Sequence, residues 1–304
     1  MSALLVWLVL STGSALAGAP PALPMVLSLH QSGVVATDPL DLPPDPELTA
    51  ALEQLIADSE LLSEVHANHT LSLVLVDITD PKDLRTAMIR PDWETFTASL
   101  SKIAVLLGTV TKVDGDARQW SNVRHRANEM IKSSSNQAAI SLFEWVGHEA
   151  IRDATYAHHL YDDTRGGIWW VPRSSFPQSP KTGQKICATA REVARYFLLM
   201  EQGRLNNPRD SEMIKRVLHN SKLALLHGGV VREEPATRYY GKPGVLRDAV
   251  SEGMLIEGDR VRYIVAVISV GTDHQDARWR DFGQALHRLI LSRHPDTASE
   301  ENPP

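Results

Sequence analysis

The chain has 304 residues, 43% of them apolar, and a formal net charge of −6. That is enough to bury a full core as one large domain or two lobes. Its basic residues are scattered with no phosphate-tracking stripe, which excludes a nucleic-acid partner, and a single cysteine, Cys187, excludes an intrachain disulfide.

The first residues, "MSALLVWLVLSTGSALAGAPPALP", predict a secretion signal over residues 1–17. An apolar run from Ala3 to Leu10 leads to the A-x-A pattern at Ala15-Leu16-Ala17, although the start carries no Lys or Arg. The run is short for a membrane-spanning helix. A cleaved signal would place the mature protein in the periplasm or outside the cell; an uncleaved anchor or a buried strand is the alternative. Residues 18–44 read as a proline-rich lead-in, a tether or a loosely packed segment.

A domain is expected over residues 45–293. "DPELTAALEQLIAD" opens it as a helix whose start is signalled by Asp45-Pro46. "LSLVLVDIT", the turn "DPKD" and "RTAMIRPD" predict a hairpin. From about residue 100 to 235 the pattern is mostly helical, beginning with "SKIAVLLGTVTKV", apolar nearly all round as a buried helix is. "WSNVRHRANEMIK" and "NQAAISLFEWVGHEAIRDA" flank a serine cluster, and Thr189 with Glu192 predicts a capping box at the head of "CATAREVARYFLLMEQGRL". "DSEMIKRVLHNSKLALL" reads as a further helix. "TRYYGKPGVL", "SEGMLIEG" and "RVRYIVAVISVG" predict strands, "DARWRDFGQALHRLIL" a closing helix, and residues 294–304 a disordered tail.

Ser99 and Lys102, three residues apart where the buried helix begins, share one helical face. A serine hydroxyl needs a base to take its proton, and a lysine becomes that base when burial lowers its pKa. Ser99 at a helix start also sits where backbone N–H groups point at a developing oxyanion. Two further elements stand in chain order: Ser134 and Asn136 at S-x-N spacing in "MIKSSSNQAAISLF", and Lys242 with Gly244 in "RYYGKPGVL". Each also has an ordinary reading. Ser99, Ser134 and Asn136 suit helix starts, and Lys242 suits an edge strand that must not aggregate.

Taken together these elements resemble the class A β-lactamase and penicillin-binding serine hydrolase superfamily, with its S-x-x-K, S-D-N and K-T-G elements. The resemblance covers roughly Glu47 to Leu291. It implies an α/β (α+β) fold, an antiparallel sheet flanked by helices beside an all-helical lobe, with the site between them. It further implies Ser99 as nucleophile, Lys102 as base, Ser134 as proton relay and Lys242 as the source of positive potential. Asn136 would hydrogen-bond the substrate amide, the N–H groups of Ser99 and Val245 would hold the oxyanion, and the glycine at 244 would let substrate approach the backbone. No cofactor and no metal are implied. The substrate would be a small molecule or peptide, cell-wall peptides included, attacked at an amide or ester.

The departures matter as much. Pro243 stands where the family has a threonine that helps hold the substrate carboxylate, and Ser135 replaces its aspartate. Arg247, just beyond, is a candidate carboxylate anchor in place of the lost hydroxyl. The glutamate that activates the deacylating water in class A enzymes has no counterpart in "LYDDTRGGIWWVPRSSFP", the corresponding loop. Efficient β-lactam hydrolysis is therefore not expected. A non-catalytic binding scaffold, with peptide adding along the edge strand, is the alternative from another class, and a weak class A-like β-lactamase is the third. A literal K-T-G at Lys181 to Gly183 lies in a Pro- and Ser-flanked loop and is set aside in favour of Lys242. "GHEAIRDATYAHH" begins like a zinc motif, but Arg152 occupies the second histidine position.

Overall fold

The structure, a computed structural model, describes residues 27–33, 38–221 and 224–295. The expected signal segment, part of the lead-in and most of the tail lie outside the described residues.

In chain order, helices α1 (Ser28–Gln31), α2 (Pro46–Ala57) and α3 (Ser63–Ala67) precede strands β1 (Leu71–Asp77) and β2 (Arg85–Ile89). A helical lobe follows with α4 (Lys102–Val113), α5 (Ala117–Lys132), α6 (Asn136–Val146) and α7 (His148–Ala157). Short strands β3 (Tyr161–Asp162), β4 (Gly166–Gly167), β5 (Trp169–Trp170) and β6 (Ile186–Cys187) form two small ribbons. Then come α8 (Ala190–Glu201), α9 (Pro208–Leu218), α10 (His227–Glu233), the strands β7 (Arg238–Leu246), β8 (Ala249–Glu257) and β9 (Arg262–Val270), and α11 (Arg278–Arg293).

The five-stranded sheet runs β2-β1-β9-β8-β7, antiparallel throughout. Successive side chains alternate between faces. Leu71, Leu73 and Leu75 of β1 therefore join Val265 and Val267 of β9 under α2 and α11, while Val74, Val76, Ile264 and Ala266 face α8 and the helical lobe. Both faces are covered, which explains why these strands read as unbroken apolar runs.

The local chemistry that starts and ends the helices is mostly as the sequence predicts. Asp45 accepts from Leu48 N at 2.7 Å, with Pro46 in the first turn. Thr189 caps α8 through Glu192 N at 3.3 Å, but the Glu192 carboxylate turns to Arg195 at 2.6 Å, so only half of the capping box forms. The segment read as one helix after the serines is broken at Gly147, whose φ of +96° ends α6 and starts α7.

The lead-in is not loose where it is described. Leu29 and Leu40 join the core, and Ser28 donates from N and Oγ to Glu201 Oε2 at 3.1 and 2.8 Å. Glu201 in turn pairs with the fully buried Lys215, which also reaches Glu257 at 2.6 Å. One buried ionic cluster thus ties the lead-in, α8, α9 and β8 together.

Helix α4 is the axis of the helical lobe. Ten of its residues from Lys102 to Val113 are buried, and Gly108 lets α7 come close: a Cβ there would stand 2.7 Å from Ile151 Cγ1 and 3.2 Å from Ile151 Cα. Gly108→Val should therefore lower stability by about 2 kcal/mol through overpacking, measured by denaturant unfolding; an unchanged midpoint would show that α7 can yield.

Candidate active site

Strand β2 leads through Pro91 to a short crossing, where Thr95 exchanges backbone hydrogen bonds with Ala188 at 3.2 and 3.1 Å. The chain then tightens into a turn before α4. Leu100 N reaches Thr97 O at 3.1 Å and Lys102 N reaches Ser99 O at 3.3 Å. These are i→i+3 bonds of 3₁₀ type, which eclipse side chains three apart, so Ser99 and Lys102 project to the same side. Ser99 thus sits in the turn that feeds α4, three residues before the helix proper. Ala98 immediately ahead of it has φ +46°, a conformation that costs a non-glycine residue on the order of 1 kcal/mol.

Strand β7 closes the other side, and its edge position tolerates the missing donor of Pro243. Gly244 is needed for a reason other than access by substrate. A Cβ there would lie 2.1 Å from Thr97 O and 2.6 Å from Leu100 N, so the absence of a side chain seats the edge strand directly on the Ser99 turn. Ser251 on β8 clips the same turn, donating to Thr97 O at 2.7 Å. It is a positioning residue that the sequence reading missed; the one available signal was a lone hydroxyl in a buried strand.

The three serines between α5 and α6 divide the work. Ser133 ends α5, Ser135 caps α6 by accepting from Ala138 N at 3.1 Å, and Ser134 between them adopts φ +57°. The N-cap role falls to Ser135, not Ser134, and serine substitutes well for aspartate as a cap. This leaves the Ser134 hydroxyl free to face Lys242, whose Nζ stands 3.0 Å away. Lys102 Nζ donates to Ser134 O and to Asn136 Oδ1, both at 2.7 Å.

Two lysines therefore converge on one serine. Lys102 and Lys242 are 1% and 0% exposed. Burial lowers the pKa of Lys102 to about 8. Burial, with repulsion from Lys102, lowers that of Lys242 to about 7, opposed by the carboxylate of Glu252.

Ser99, Lys102, Asn136 and Val245 line a cavity of about 300 Å³, walled by Phe96, Ile140, Trp170 and Ile186 among others. Larger hollows exist, such as the one of about 580 Å³ between α2 and α11, but chemistry and not size selects the site. Trp170 is a wall of it, whereas Trp169 packs on Tyr161 and His148. Arg247 is not brought in: it occupies the exposed tip of the β7–β8 hairpin with φ +49°.

Among the described residues no carboxylate lines the cavity. Asp162 accepts from Thr164 N and Arg165 N in its own turn, and Asp163 pairs with the Tyr156 hydroxyl. Glu94, buried nearby, is occupied by Gly167 N, Ser179 Oγ and Thr182 Oγ1. The literal K-T-G at 181–183 belongs to that staple, in a turn closed by Gly183 N on Ser179 O. Cys187 is fully buried in β6 with its thiol pKa pushed upward by burial. Among the described residues no group of His, Cys, Asp and Glu is placed to hold a metal ion.

Two buried lysines that meet on Ser134, beside a cavity lined by Ser99 between an antiparallel sheet and a helical lobe, give the architecture of the penicillin-recognising serine hydrolases. The sequence pattern of the beta-lactamase enzyme family matches residues 115–291, more than half of the chain, and the protein belongs to that family. Ser134, Asn136 and Lys242 fall within the match, while Ser99 and Lys102 precede it. No curated protein sequence matches the chain significantly. Among solved structures, PBP-A is similar at a TM-score of 0.62 and 16% identity, over 82% of this chain and 99% of that one. A β-lactamase from Sphaerobacter thermophilus gives 0.61 and 17% over 84% and 98%. A class A representative from Bacteroides cellulosilyticus gives 0.60 and 13% over 81% and 99%. These likenesses bear out the expected fold.

A buried ammonium burdens the folded state. For a lysine whose folded pKa lies below the unfolded 10.5, that cost is fully present below the folded value and shrinks as pH rises toward 10.5. Lys242→Met, which keeps the bulk and removes the charge, should raise Tm more at pH 6 than at pH 9. Thermal unfolding across pH checks this, and an equal change at both values would contradict it.

Proposed function

We propose that the protein is a serine hydrolase, exported to the periplasm or beyond, that works through an acyl-enzyme on Ser99. The observation that carries the reading is the convergence of two desolvated lysines on Ser134 beside the cavity that Ser99 lines. Lys102, partly neutral near pH 8, takes the Ser99 proton as Oγ bonds to the substrate carbonyl carbon. The carbonyl oxygen takes up the negative charge, facing the N–H groups of Ser99 and Val245. As the tetrahedral centre collapses, the C–N or C–O bond breaks and the leaving group receives a proton through Ser134. Lys242 supplies positive potential, and Asn136 donates to the substrate amide. Water then releases the acyl group.

The missing carboxylate bears on that last step. A positioned general base contributes roughly 10²–10⁴-fold, so the acyl-enzyme should be long-lived and β-lactam turnover poor. The substrate is an amide, an ester or a cell-wall peptide. One observation favours a binding scaffold instead: Lys102 is committed to Asn136 and Ser134 O, and among the described residues no hydrogen bond joins it to Ser99.

Intact-mass analysis after incubation with penicillin and with a fluorophosphonate decides between them. The hydrolase reading expects an adduct on wild type that is absent from Ser99→Ala; unmodified wild type with both reagents would favour the scaffold. The pH profile adds a second check. Lys102 and Lys242 meet on Ser134 and repel one another, so they titrate as a pair, near 8 and 7, and the competent form carries one proton between them. The acylation rate should therefore be bell-shaped with its maximum between those values; a flat profile from pH 6 to 9 would exclude the pair from the chemistry.

A further inference from the structure

We infer that the Ser99 cavity takes the acyl group of a small, uncharged, apolar ester or amide, not of a carboxylate-bearing substrate; this rests on Ser99 being the nucleophile. The walls are the first reason. Phe96, Ile140, Trp170, Pro172, Ile186 and Leu246 surround Ser99, and the polar lining beside it consists of Lys102 and Asn136. An acyl chain that meets these walls leaves water at a gain proportional to its apolar area, whereas a carboxylate gives up its hydration for a lining with few donors.

Among the described residues, the groups that would answer a carboxylate lie off the cavity lining or are buried and already donate two of their three N–H groups inside the protein. Pro243 offers neither a hydroxyl nor an N–H. Arg247 stays at the exposed hairpin tip outside the lining. Lys242 is fully buried, with its ammonium donated to Pro243 O at 2.6 Å and to Ser134 Oγ at 3.0 Å. Lys102 is likewise held by Ser134 O and Asn136 Oδ1. Neutral recognition remains available: with its Oδ1 accepting from Lys102, Asn136 has its amide N–H groups left for a substrate carbonyl.

Size and the rim agree. At about 300 Å³ the cavity is at the small end of ligand sites and suits a short acyl chain. Leu246, on its lining, is 53% exposed, one of two large hydrophobic side chains so exposed among the described residues. A bound apolar group would cover it.

Two esters of equal acyl backbone length separate the cases: 4-nitrophenyl butyrate and the mono-4-nitrophenyl ester of succinic acid, which ends in a carboxylate. In each, Ser99 Oγ bonds to the carbonyl carbon, the bond from that carbon to the aryloxy oxygen breaks, 4-nitrophenolate leaves with the electron pair, and the serine proton passes to Lys102. The butyrate should acylate about ten-fold faster or more. Leu246→Arg, a substitution at an exposed position that adds a guanidinium at the rim, should shift the ratio toward the succinate by about ten-fold. Equal or faster acylation by the succinate in wild type would overturn the substrate class while leaving the nucleophile intact. A Ser99 adduct with neither ester nor the fluorophosphonate would instead remove the nucleophile, and the substrate class with it.

Discussion

Two ammonium groups held out of water around one serine constrain everything else in this molecule. A charged lysine in a protein interior is costly unless its donors are met or its proton is lost, and here both remedies operate. Ser134 supplies its carbonyl to Lys102 and its hydroxyl to Lys242, while burial moves both pKa values toward neutrality. For one serine to serve two lysines from different elements, its backbone must turn out of helical geometry. It does so at φ +57°, a strain held in place by α5 ending on one side and α6 being capped on the other.

The rest of the fold reads as the means of bringing three chain-distant elements to that point. Lys102 comes from the first turn of a helix buried on nearly every side. Lys242 comes from an edge strand whose glycine, two residues on, seats the strand on the Ser99 turn. Ser251 and the Thr95–Ala188 crossing fix the turn itself. The site is thus tightly hydrogen-bonded where its charged groups meet and mostly apolar around Ser99.

Much of this was legible in the residues. The hairpin, the buried helix, the late strands and the closing helix follow from periodicity and capping, because each element's pattern agrees with its environment. Lys102 was recognisable from its apolar neighbours, and Lys242 from a strand context that the literal K-T-G lacks. What escaped is long-range or depends on direction. Nothing local says that Gly244 seats its strand on the Ser99 turn, or that Ser251 clips Thr97 O. The order of duties among Ser133, Ser134 and Ser135 depends on one φ angle. The place of Arg247 at the exposed tip of a tight hairpin depends on a turn that spacing does not reveal, and the Lys215 cluster was invisible because its partners lie far apart in the chain.

The most direct measurement is an NMR titration of the lysine side chains, with Lys102 and Lys242 assigned through Lys102→Met and Lys242→Met. The account predicts two resonances that titrate as a coupled pair near pH 7 and 8, with each partner's value rising when the other is replaced. Values near 10.5 for both, unmoved by either substitution, would mean two ordinary solvated ammoniums and would contradict it.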